Sequence, residues 1–102
     1  MTDYSIVFPE GFDEYAREVQ SKGWFPDARL VAFGQQFRIT FYDPVRLSQE
    51  IQDKIQRGSV FFEPNLVVVQ SLTRQSMEKA VELLVETQKA NSLVPEKLPG
   101  RD

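Results

Sequence analysis

The stretch Ala28–Tyr42 constrains the fold more than any other, because it consists of two runs of alternating side chains separated by Gly34-Gln35. Alternation with period two is the mark of a strand, and a glycine between two such runs is a hairpin signal. If Gly34-Gln35 form the centre of a type II′ turn, Phe33 faces Gln36, and Ala28, Leu30 and Ala32 lie opposite Phe41, Ile39 and Phe37. The last six residues then share one face, which is core. The other face receives Arg29, Val31, Phe33, Gln36, Arg38, Thr40 and Tyr42, a mixed set for a face turned to water.

The flanking segments supply the rest of an α+β domain. Tyr4–Phe8 alternates and stops at Pro9, as a short strand does. In Phe12–Lys22 the residues Phe12, Tyr15, Ala16 and Val19 recur at helical spacing, and Gly23 is placed to end the helix. Trp24–Asp27 reads as a linker whose Trp24 and Phe25 either cover the end of the core or offer an aromatic anchor to a partner. Asp43-Pro44 is a helix start, with Asp as cap and Pro at the first helical position. That helix runs to Arg57 before Gly58 and carries the narrow stripe Leu47, Ile51, Ile55, which suits packing at the margin of a sheet.

Ser59–Phe62 and Leu66–Gln70 are both strand-like and are separated by Glu63-Pro64-Asn65. They read as a second hairpin with Val60, Phe62, Val67 and Val69 as core; the rival is one long strand broken at an edge by Pro64. Thr73 caps a last helix, Leu72 staples onto Met77, and Ala80, Val81 and Leu84 continue the apolar face. Residues 91–102 contain two prolines and no periodicity and are expected to form a flexible tail, leaving residues 1–90 as one domain. The order β-α-β-β-α-β-(β)-α predicts a two-layer sandwich, with a mainly antiparallel sheet of 4–5 strands and helices on one face. A ferredoxin-like core is the specific topology expected.

Composition narrows the chemistry. Histidine and cysteine are both absent, which excludes thiolate zinc sites, disulfides, cysteine nucleophiles and every mechanism built on imidazole. The close carboxylates, Asp13/Glu14, Glu50/Asp53 and Glu82/Glu86, lie on polar helix faces, where solvation accounts for them. The glycines sit at turns and helix ends and form no phosphate cradle. No catalytic residue, cofactor or metal site is therefore assigned.

A net charge of −3 argues against nucleic acid, as does the missing glycine-aromatic signature of sheet-based RNA readers. The N-terminal residues lack a signal-peptide pattern and no run is long enough to span a membrane, so a cytoplasmic protein is expected. The expected function is a non-enzymatic protein-interaction module, such as a small inhibitor, antidote or adaptor. Its surface would be an open sheet face formed by Arg29, Val31, Phe33, Arg38 and Tyr42 with Trp24, and its partner another protein or a second copy of the chain. The alternative is a small-molecule-binding domain or an enzyme with a cleft between sheet and helices.

Overall fold

In the computed structural model, which describes residues 3–96, the alternating stretch forms the two longest strands. β1 (Tyr4–Val7), β2 (Trp24–Ala32), β3 (Gln35–Tyr42) and β4 (Leu66–Val68) make one sheet in the order β1-β2-β3-β4. The first two pairings are antiparallel and the third is parallel. Strands thus follow one another in sequence across a mixed sheet, and the interleaving of a split βαβ, ferredoxin-like core is not formed.

The hairpin turn is centred one residue earlier than predicted. Phe33 and Gly34 both have positive φ, 56° and 72°, as a type I′ turn requires. Leu30 accordingly faces Phe37 and Ala28 faces Ile39. Relative to the predicted pairing the strands are displaced by two residues, and an even displacement returns every side chain to its own face. The predicted core set, Ala28, Leu30, Ala32, Phe37, Ile39 and Phe41, is buried throughout.

The predicted linker Trp24–Asp27 is itself strand. Trp24 pairs with Tyr42 and Phe25 with Phe41 before the register shifts between Phe25 and Ala28. Pro26 has no N–H to give the ladder, so the extra residue is accommodated there as a bulge.

Helices cover the core face. The segment expected as one helix is a 3-10 turn (Phe12–Glu14) followed by α1 (Ala16–Lys22), which Gly23 closes at φ 71°. Phe12 packs on Phe8 and Phe25 at ring separations of 4.7 and 5.1 Å, and Val19 is buried beside them. α3 (Arg74–Glu86) starts where Thr73 Oγ1 accepts the Ser76 N–H, and it buries Met77 and Val81 next to Leu72. The predicted two-layer α+β architecture is the one observed.

α2 (Pro44–Gln56) begins at its expected cap: Asp43 Oδ1 accepts the Arg46 N–H at 2.7 Å. None of its residues is fully buried.

The second hairpin is not formed, nor is the long broken strand. No strand covers 59–63, and Leu66–Val68 pairs in parallel with Thr40–Tyr42. A strand that returns through a helical connection arrives parallel, and here the free edge of β3 is taken by 65–69 through Thr40 N–H to Asn65 O and Val69 N–H to Tyr42 O. Residues 59–62 are not paired with any strand. Val60 and Phe62, expected in the core, are 79% and 82% exposed, whereas Val67 and Val69 do pack against it.

A 3-10 turn over Lys89–Ser92 buries Ala90 at the end of the predicted domain, and of the residues expected to form a loose tail Leu93 packs on the core. Val94–Glu96 then cross the sheet, hydrogen-bonded to Asn65, Gln36 and Arg29. Residues 97–102 lie outside the described residues. Among the described residues, no helix is long and apolar enough to cross a membrane.

Candidate functional site: the second face of the hairpin

The face of β2 and β3 turned away from the core carries the predicted site, and the chain covers part of it: Tyr42 and Thr40 are buried and Arg29 and Val31 half-buried, while Trp24 and Arg38 stay exposed. Tyr42 is only 3% exposed: its ring meets Phe61 edge-on at 6.2 Å and its hydroxyl donates to Glu63 Oε1 at 3.1 Å. Burial, with the Glu63 carboxylate adding to it, pushes the Tyr42 phenol up to about 12. Arg29 makes a two-pronged contact with Glu96, Nε to Oε1 at 2.9 Å and Nη2 to Oε2 at 3.1 Å. That hydrogen-bonded pairing holds the Glu96 carboxyl below its ordinary range and the Arg29 guanidinium above its own, so both stay charged at neutral pH. The sheet face expected to be open is therefore closed at Tyr42 and half-covered at Arg29 and Val31, and it is open at Trp24 and Arg38. Alternating residues were indeed presented to the second side, but two later segments lie across it.

What stays open is a groove of about 400 Å³ between the strands and these segments, with Trp24, Pro26, Arg38 and Thr40 on the sheet side. Arg38 is held by its own strand partner, donating to Pro26 O at 2.9 Å and to Asp27 Oδ1 at 3.1 Å. Trp24 forms a wall of the groove, with the Arg46 guanidinium 5.7 Å from its ring centroid. Val31 lines a second depression with Gln36 and Glu96. Phe33 does not belong to the face: as a turn residue its ring reaches round to Phe37, 6.3 Å away and nearly perpendicular.

No family model, curated protein or solved structure matches the chain.

The residue that organises the groove was not among the predicted ones. Asn65 Nδ2 donates to Arg38 O at 2.9 Å and to Val94 O at 2.8 Å, while its Oδ1 accepts the Val94 N–H at 2.8 Å. The only sequence sign of its role is an Asn following Pro64 where a left-handed residue suits a turn, and Asn65 has φ 56°. Glu63 and Glu96 read as ordinary solvated carboxylates until the fold places them against Tyr42 and Arg29. Among the described residues, no buried side-chain nitrogen or oxygen lacks a partner. The polar groups of the groove hold one another, an arrangement that positions a bound chain segment better than it activates a nucleophile.

Proposed function

We propose that this chain is a non-enzymatic, cytoplasmic protein-interaction module of the inhibitor, antidote or adaptor kind. One observation carries the reading: large apolar side chains are left uncovered along a single segment. Val45, Ile55, Val60 and Phe62 are 67%, 62%, 79% and 82% exposed. α2 has the apolar stripe of a helix that packs on something, yet it contributes no fully buried residue to its own domain. Water-exposed aromatic and aliphatic groups along one stretch of chain favour burial against another protein surface. The partner is another protein or a second copy of this chain.

The test uses the full chain with Val60→Ser and Phe62→Ser. Light scattering over a range of concentrations reads self-association, and capture from the native cell extract reads a foreign partner. The double variant is expected to keep the far-ultraviolet spectrum and lose the association. If wild type and variant bind alike, or neither associates with anything, the reading fails.

A further inference from the structure

We propose that the groove on the second face of the hairpin is a recognition site for an extended apolar-Pro-Glu segment of a partner protein, and that Val94–Glu96 of this chain occupy it in cis. This surface is distinct from the Val45–Phe62 segment, and the proposal stands or falls without it.

The way the tail is held supports this reading. Asn65 reads both backbone groups of Val94 with a single side-chain amide, and Gln36 O accepts the Glu96 N–H at 2.7 Å. Backbone reading of this kind selects an extended chain without regard to most side chains. Pro95, between these two residues, has no N–H to satisfy and confines both itself and Val94 to extended geometry, which lowers the ordering cost of binding. Side-chain selectivity comes from Arg29, whose two-pronged grip on Glu96 suits a carboxylate and no neutral group.

The tail does not fill what it occupies. Space of about 400 Å³ lies beside Val94 and Pro95 against Trp24 and Pro26, and Val94 is 56% exposed. A second depression of about 460 Å³ flanks Pro95 and Glu96 near Val31. A partner segment with a larger apolar residue in the place of Val94 gains contact with Trp24 that the tail lacks. Because the tail is tethered, it competes at an effective concentration of roughly millimolar, so the resident segment blocks weak ligands and yields to one that fills the groove better.

The probe is a fluorescent peptide copying residues 92–96, Ser-Leu-Val-Pro-Glu, titrated against the full-length protein by anisotropy. Against Glu96→Ala, whose own tail has lost the Arg29 contact, it is expected to bind about ten-fold more tightly than against wild type. Replacing the peptide's Glu by Gln, or adding Arg29→Met to the Glu96→Ala protein, is expected to reverse that gain. The peptide change requires no further alteration of the protein and so separates recognition from misfolding. The proposal is overturned by absence of binding to Glu96→Ala up to about 1 mM, or by binding indifferent to the peptide carboxylate. A concentration-dependent wild-type dimer that disappears in Glu96→Ala overturns the foreign partner in favour of a second copy's tail. Phe62→Ser is expected to leave peptide binding unchanged.

Discussion

Phe33 carries the left-handed backbone that the type I′ turn demands, at a position where Asn or Gly is the usual choice. A side chain there costs about 1–2 kcal/mol, offset in part by the edge-on contact with Phe37. Phe33→Asn is therefore expected to raise stability by about 1 kcal/mol, seen as a higher urea midpoint with unchanged slope. A lower midpoint would mean that the ring contact outweighs the strain. Tyr42 makes a prediction in pH. Its phenol titrates near 10 when unfolded and about 12 when folded, mainly through burial. Its contribution is thus fully present below pH about 10 and is lost as pH rises through about 12, because the unfolded chain ionises first. Denaturant midpoints measured from pH 9 to 12 are expected to fall more steeply for wild type than for Tyr42→Phe; parallel curves would contradict this.

At the scale of elements, the junctions between helices and strands are set by short-range chemistry, and one of them is crowded. Gly23 ends α1 in the left-handed region, and a methyl group there would collide with the carboxylate of Asp43, the cap of α2. Gly58 has a similar φ, 80°, but its added methyl would meet nothing. Ala at Gly58 is expected to cost about 1 kcal/mol, the left-handed penalty alone. Ala at Gly23 is expected to cost at least about 1 kcal/mol more, since the cap must also move. Thermal unfolding of the two variants side by side checks the difference, and equal losses would show that Asp43 yields freely. α2 is the element whose existence was most plainly written in the chain, through Asp43-Pro44 and Gly58. What it packs against was not, because a cap reports where a helix starts and nothing about its neighbours.

At the largest scale the sheet and the helical layer share a core. Met77, Val81 and Leu72 belong to one buried cluster with Leu30, Ile39 and Phe41, and all six are fully buried. Met77→Ala is expected to cost about 2–5 kcal/mol through lost burial and the cavity left behind. Phe62→Ala, at an equally apolar but exposed position, is expected to change stability by less than about 0.5 kcal/mol. Chemical denaturation of both variants measures the contrast, and a large loss at Phe62 would mean that its surroundings are part of the fold.

The core face of the hairpin, the Gly23 stop, the Asp43 and Thr73 caps and the burial of Leu72 and Met77 were all legible in the sequence. Each depends on periodicity or on residues within a few positions of one another, so local sterics and hydrogen bonding decide it before the chain closes on itself. The exact turn was not legible, since two adjacent registers separated by an even step bury the same residues. The parallel course of β4 and the cover on the second sheet face were decided by tertiary structure alone. Arg29 meets Glu96 across 67 residues and Asn65 meets Val94 across 29, and such partnerships depend on which strand edges and polar groups are still unpaired once the nearer contacts have formed.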